Sequence, residues 1–284
     1  MALSNPVNLY QDIIRLKSKN LIVQRLKRER KYLENSYTTV NSLKNGFTIY
    51  RNYLRSNLPP TLKLRDKSLL EMSLDVLRLT PEQQKTFLIS KNADVKKDKS
   101  NLRLIYDVDN YIHKNIQLLD SPYFINNVLG LAALTGRRVA EIACTAKFKK
   151  VDDKTAIFKG QLKTKGRADV LPYGIPLLAD FEIINESLKK TRLLKPQYID
   201  NMDLFHNACS KTLSVKVKEI YQGLFEGTPK AKDLRAIYST ICFHEYNKKL
   251  ENKHIDRDIY YSQILGHSTE DIYTCGSYID FYIL

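Results

Sequence analysis

The sequence predicts a mainly α protein of two domains, with a small antiparallel β-hairpin in the second. Three observations carry that expectation. Apolar residues recur at helical spacing through most of the chain. The period falls to two only over Thr155–Leu162 and Ala168–Ile175, which read as paired strands. Charge is also unevenly divided: residues 1–119 hold 22 basic and 11 acidic side chains, whereas residues 120–284 hold 24 and 20. A length of 284 residues accommodates two domains of roughly 100–200 residues each. The 43% hydrophobic content is enough to fill cores, which excludes wholesale disorder.

Taken in order, the elements are these. From Asn8 to about Glu34, Leu9, Ile13, Leu16, Val23, Leu26 and Leu33 form an apolar stripe, predicting one long helix. Its other faces carry Arg15, Lys17, Lys19, Arg25, Lys27, Arg28, Arg30 and Lys31. A second helix is expected over Ser36–Ser56, stopped by Leu58-Pro59-Pro60 because proline disfavours a helical predecessor. Thr80-Pro81-Glu82-Gln83 supplies a cap, a first-turn proline and a capping-box glutamine. The polar run Lys91–Ser100 reads as a loop and Asn101–Gln117 as a helix. Asp120-Ser121-Pro122 marks the expected domain boundary, with Ser121 capping an apolar helix through Leu134. After the hairpin, helices are expected near Asp180–Thr191, Ser210–Phe225, Asp233–Lys249, Arg257–Leu265 and Ile272–Ile283.

Composition also narrows the partners. A formal charge of +15 favours a polyanion, since each neutralised phosphate releases condensed counterions. The basic first helix could lie along nucleic-acid phosphates or on an anionic membrane surface, with Arg25 and Arg28 as candidate DNA contacts; a solvated helix face is the alternative for any single residue. No run approaches the roughly 18 apolar residues of a membrane span, and the N-terminus lacks a signal-peptide pattern, so no membrane partner is expected. Cys144, Cys209, Cys242 and Cys275 form no CxxC pair and read as small buried hydrophobes of a cytoplasmic protein. Without a GxxxxGK[ST] loop, no nucleotide is expected.

Four segments of the second half carry chemistry. They are Thr135-Gly136-Arg137-Arg138-Val139-Ala140-Glu141, Gly160-Gln161-Leu162-Lys163-Thr164-Lys165, Lys232-Asp233-Leu234-Arg235, and Leu265-Gly266-His267 followed eleven residues on by Tyr278. Such a set suits attack on a phosphodiester without a metal or other cofactor. Arginines stabilise the charge of the pentacoordinate phosphorus, and a lysine protonates the departing 5′ oxygen. Histidine hydrogen-bonds the phosphate or moves a proton, and tyrosine is a nucleophile whose phosphate ester conserves the bond for resealing.

In order and spacing these segments resemble the active-site boxes of tyrosine recombinases and type IB topoisomerases, and specifically those of telomere resolvases. The first is similar to the T-G-x-R-x-x-E box, which puts Arg138 on the catalytic arginine and Glu141 in a positioning role; Arg137 is a candidate DNA contact, with a salt-bridging residue as the alternative. The second resembles the hairpin with the catalytic lysine: Lys163 is favoured, Lys165 the runner-up and otherwise a DNA contact. The third has lysine where most recombinases have histidine, as among telomere resolvases, making Arg235 the second catalytic arginine and Lys232 an accessory phosphate contact. The fourth matches the L-G-H box, with His267 catalytic. Phage-type integrases place their tyrosine nine residues later, where this chain has Gly276; a spacing of eleven to Tyr278 points to the resolvase branch.

Charge division and the boundary give a basic helical DNA-binding domain over 1–119, which resembles the family only loosely; the resemblance spans about Leu131–Leu284 and implies a catalytic breaking-rejoining domain over 120–284, the two together clamping duplex DNA. It further implies a homodimer on an inverted-repeat target, a 3′-phosphotyrosyl intermediate, covalently closed hairpin products, and a bacterial or phage-encoded protein associated with the nucleoid. Leu284 lies six residues beyond Tyr278, which leaves a minimal family member or a trimmed sequence, and favours a dimer over a tail-swapped tetramer. The rival readings are a conventional site-specific recombinase and a non-catalytic DNA-binding protein of the same fold.

Overall fold

The computed structural model describes residues 5–16, 18–59, 61–64, 67–162, 171–249, 254–267, 278 and 280–284, with side chains for all but 64, 67 and 91–100. The chain forms two compact units, 1–95 and 96–284.

The first unit is built on α1 (Pro6–Arg15), α2 (Lys19–Ser36), α3 (Val40–Asn57) and α4 (Leu69–Val76), with a two-residue hairpin of β1 (Lys63–Leu64) and β2 (Lys67–Ser68). The single long helix expected over 8–34 is broken between α1 and α2, where Leu16 and Ser18 are extended. Geometry demands the break. Ile13 and Ile22 are both fully buried, yet nine residues of continuous helix would set them on opposite faces. α5 (Pro81–Ser100) opens as expected: Thr80 N donates to Gln83 Oε1 at 3.0 Å and Gln83 N to Thr80 Oγ1 at 3.1 Å. It then continues through Lys91–Ser100, which was expected to be a loop. That stretch has no Gly or Pro, and its lysines and alanine favour helix.

Arg25 is corrected by this unit. It is buried, its Nε donating to Asp12 Oδ2 and its Nη1 to Glu29 Oε2, both at 2.7 Å. Glu29 is itself fully buried and also accepts from Tyr50 Oη at 2.8 Å. Burial opposes the charge of Arg25, but the two carboxylates outweigh it and leave the pKa raised. Arg25 therefore links α1, α2 and α3 and does not present its charge to DNA. Arg28 stays exposed.

The second unit follows with β3 (Arg103–Leu104), α6 (Val108–Leu119) and α7 (Phe124–Thr135). Every residue of α7 from Asn127 to Thr135 is buried, making it the central helix. α6 packs along it and buries Tyr111, Asn115 and Leu119. That is why the units part at 95/96 and not at 119/120: α6 belongs to the second core. Its start also falls later than Asn101, because Asp107 caps Asn110 N at 2.9 Å and residues 103–104 enter a strand.

A π-helical turn at Glu141–Thr145 leads into β4 (Lys147–Asp152), β5 (Thr155–Lys159) and β6 (Tyr173–Pro176), an antiparallel sheet in that order. The expected hairpin pair is β5 and β6. β4 was not anticipated, since only Phe148 in it is even half-buried. Then come α8 (Phe181–Leu194), α9 (Met202–Tyr221), α10 (Ala231–Lys248), α11 (Arg257–Leu265) and β7 (Phe281–Tyr282). α8, α9 and α10 all contact α7. The last helix expected over 272–283 is replaced at its end by β7, which pairs parallel with β3; residues 272–277 lie outside the described residues. Cys144, Cys209 and Cys242 are buried thiols, and Cys275 is outside the described residues. No described helix is long and apolar enough to cross a membrane.

Candidate active site

Two helix C-termini organise the site. α7 ends at Gly136 (φ 66°) and α11 at Gly266 (φ 68°), both left-handed caps that favour glycine. Packing enforces the same choice. An added Cβ would lie 2.1 Å from the Tyr238 ring at Gly136 and 2.3 Å from the Tyr173 ring at Gly266. The terminal carbonyls that a helix leaves unpaired are taken up by two guanidinium groups. Arg235 Nη1 donates to Gly136 O at 2.6 Å and Nη2 to Leu265 O at 2.7 Å. Arg137 Nε donates to Thr135 O at 3.1 Å and Nη2 to Ile264 O at 2.7 Å. The negative ends of two helix dipoles thus converge on two cations.

Arg137 is spent in doing this. Its Nη1 donates to Tyr173 Oη, its guanidinium carbon sits 4.8 Å from the Phe158 ring centre, and the residue is 1% exposed. It is a structural tie among α7, α11 and the sheet, so the expected DNA contact at Arg137 is corrected. Because the same junction fixes Gly266, Gly266→Ala is expected to lower the thermal midpoint and displace His267. The left-handed backbone alone costs about 1–2 kcal/mol for an L-residue, before the Tyr173 clash. Thermal unfolding checks this; an unchanged midpoint would contradict it.

Arg138 faces outward enough to meet a substrate, its side chain 20% exposed. Its Nη1 lies 2.5 Å from Glu141 Oε1, and its backbone N donates to Glu141 Oε2 at 3.0 Å. Burial opposes the Arg138 charge, but Glu141, followed by a hydrogen bond and charge coupling to Tyr278, leaves its pKa raised. Glu141 is completely buried. Burial would push its pKa up, yet Arg235, Arg138 and Arg137 together hold it below its ordinary 4.5. A carboxyl whose folded pKa is depressed stabilises the fold above its unfolded pKa, and that stability is lost as pH falls through the folded value. Wild type should therefore be more stable than Glu141→Gln at neutral pH, with the gap closing as pH drops below 4.5. Denaturant midpoints measured across that range check the sign.

Glu141 also reaches the hairpin. Leu162 N donates to Glu141 Oε1 at 3.3 Å, Thr145 Oγ1 to Gly160 O at 2.5 Å, and Gln161 Nε2 to Gly266 O at 3.1 Å. The three residues before Lys163 are thereby pinned to the arginine box on one side and the L-G-H box on the other. Lys163 and Lys165 lie outside the described residues.

Tyr278 lies over this cluster, half-buried. Its ring centre is 5.7 Å from that of His267 and 5.5 Å from the guanidinium carbon of Arg235. Arg235 is 3% exposed, and its Nε is enclosed without a hydrogen-bond partner among the described residues. Burial, with Arg137 nearby, lowers the Arg235 pKa. The structure thus gathers Arg138, Arg235, His267 and Tyr278 around Glu141. It sets Lys232 apart: that side chain is 57% exposed, with Nζ 3.8 Å from Asp280 Oδ2. Sequence reasoning gave Glu141 a positioning role but missed its service to three arginines, and it missed Gln161 and Tyr173 altogether. Gln161, two residues before Lys163, was the one with a signal. No described cluster of three His, Cys, Asp or Glu side chains could hold a metal ion.

A family model described as the telomere resolvase ResT/TelK catalytic domain matches residues 101–281. The chain belongs to that family. The match takes in Arg138, Lys163, Lys232, Arg235, His267 and Tyr278 and excludes Arg25 and Arg28. The protelomerase of Escherichia phage N15 is 24% identical over 217 residues, covering 69% of this chain and 34% of that protein. The protelomerase of Yersinia phage PY54 is 28% identical over 154 residues, 50% of this chain and 24% of the relative. The chain thus covers only 34% and 24% of the length of these curated relatives. Among solved structures, protelomerase TelA covalently complexed with substrate DNA superposes with a TM-score of 0.80 at 20% identity, over 100% of this chain and 90% of that one. An arginine-to-alanine TelA variant complexed with DNA hairpin product gives 0.79 at 19%, over 100% and 90%. Protelomerase TelK complexed with substrate DNA gives 0.64 at 19%, over 99% and 65%. Across this telomere resolvase family, the shared feature these structures establish for the chain is its mainly α fold.

Proposed function

We propose that the chain is a telomere resolvase that breaks and rejoins duplex DNA through Tyr278. The observation that carries the reading is the position of the Tyr278 ring, 5.7 Å from the His267 ring and 5.5 Å from the Arg235 guanidinium. Tyr278 Oη attacks the scissile phosphorus; the bond to the 5′ oxygen breaks, leaving a 3′-phosphotyrosyl ester and a 5′ hydroxyl. Arg138 and Arg235 stabilise the nonbridging oxygens as negative charge grows there. His267 accepts the phenolic proton. Lys163, or Lys165 in its stead, gives a proton to the leaving 5′ oxygen. In the second step the 5′ hydroxyl of the folded-back complementary strand attacks the phosphotyrosyl ester, expelling Tyr278 and closing a hairpin.

Two arginines, a lysine, a histidine and a phenol supply every charge and proton this sequence needs, so activity is expected to survive a chelator and to require no ATP. The substrate in this reading is duplex DNA with an inverted repeat, bound by two copies of the chain in the bacterial cytoplasm. The first unit adds phosphate contacts through exposed cations such as Arg28, and Lys232 adds one beside the site.

The test is to incubate the protein with a linear duplex carrying the inverted repeat of its own replicon. Snap-back hairpins on a denaturing gel, with a transient protein–DNA adduct, support the proposal. Four-way junctions would favour a strand-exchanging recombinase, and absence of any adduct a binding protein.

A further inference from the structure

One ion network outside the cluster is joined to it through the backbone. β3 and β7 are two residues each, and the bonds between them are few: Arg103 N donates to Asp280 O at 2.9 Å and Ile105 N to Tyr282 O at 3.1 Å. The Arg103 side chain adds what so short a ladder lacks. Its Nη1 reaches Asp233 Oδ2 at 3.1 Å and its Nη2 reaches Oδ1 at 2.9 Å, a paired fork that a point charge cannot reproduce. Its guanidinium carbon lies 4.1 Å from the centre of the Phe281 ring. Phe281 is fully buried in β7, edge-on to Phe225 at 5.3 Å.

Asp233 is equally enclosed. It is 0% exposed and accepts from Lys230 N at 2.9 Å, closing the first turn of α10. One guanidinium therefore bridges two places that matter to the chemistry. On one side is the start of α10, two residues ahead of Arg235. On the other is β7, whose first residue comes three after Tyr278. Arg103 touches neither Tyr278 nor Arg235 directly. It sets the distance between the segments that bear them.

We infer that Arg103 is a positioning residue for strand cleavage, holding the segment that carries Tyr278 against the helix that carries Arg235. The inference rests on the reading above that Tyr278 is the nucleophile. In-line attack needs the phenolic oxygen within a narrow cone of the phosphorus, and a displacement of about 1 Å can cost ~100-fold in rate. DNA affinity is set elsewhere, by cations on the surface, because the Arg103 charge is neutralised by Asp233.

Arg103→Lys and Arg103→Ala are compared with wild type by single-turnover adduct formation at saturating protein, DNA affinity and thermal unfolding. Lysine keeps the charge and the contact with Phe281 but cannot make the paired fork. The expected result is a rate about 100-fold lower for alanine and about tenfold lower for lysine, with half-saturating protein unchanged and both variants folded at the assay temperature. If the alanine variant does not fold, the lysine variant decides alone. A wild-type cleavage rate in Arg103→Lys, or rate losses that only track the unfolded fraction, would overturn the inference. Wild-type protein that forms no adduct would instead remove the proposed function.

Discussion

Tyr278→Phe is expected to abolish the covalent protein–DNA adduct and all hairpin product, while the fold and DNA affinity stay as in wild type. Two contacts that seat the residue are made by the ring: 5.7 Å to the His267 ring and 5.5 Å to the Arg235 guanidinium. Phenylalanine keeps both. What it removes is the oxygen, the one atom able to accept the phosphoryl group at that place. Loss of a nucleophile leaves only binding and charge stabilisation, so the expected fall is at least about 10⁴-fold. Denaturing gels of a radiolabelled duplex measure the adduct, and a mobility shift measures affinity. Adduct formation by Tyr278→Phe would move the nucleophile to another tyrosine, with Tyr282 in β7 the nearest described candidate in sequence. Equal loss of DNA binding would mean that the ring's packing had been misjudged.

The fold and site were legible in the sequence to different depths, for identifiable reasons. α11 ran over Arg257–Leu265 as read, because Asp256 caps it and Gly266 stops it with local chemistry. The capping box at Thr80 was local for the same reason. The break after α1 was hidden, since a stripe drawn through Val23 masks the phase jump to the truly buried Ile22. β4 was hidden because sheet pairing stabilises it with almost no apolar face. Within the site, residue types and spacing singled out Arg138, Arg235, His267 and Tyr278, and these four side chains lie in one cluster. The same reasoning could not tell a cation facing substrate from one facing the core. Arg137 and Arg25 look like phosphate contacts until carbonyls and carboxylates 2.7 Å away account for their charge. Adjacent arginines in one motif, Arg137 and Arg138, turn out to have opposite fates because consecutive side chains leave a helix end in different directions.

Arg235→Lys should separate from Tyr278→Phe by failing in two ways at once. Arg235 is not a free cation: its two terminal nitrogens tie Gly136 O of α7 to Leu265 O of α11. A lysine ammonium is a single point of charge and cannot span both carbonyls from one stem. One helix end would be left with a buried, unpaired acceptor, a loss of about 1–3 kcal/mol. Cleavage should fall as well, by about 10²–10³-fold, the usual effect of removing one preorganised donor from a developing oxyanion. Burial compounds the fault: it already lowers the pKa of arginine here, and an ammonium gives up its proton far more readily. The measurement is paired, thermal unfolding and single-turnover cleavage on the same preparation. Lost cleavage with an unchanged midpoint would mean that the two carbonyl bonds contribute nothing to the fold. A lowered midpoint with wild-type cleavage would take Arg235 out of the transition state and leave Arg138 as the one arginine meeting the phosphate.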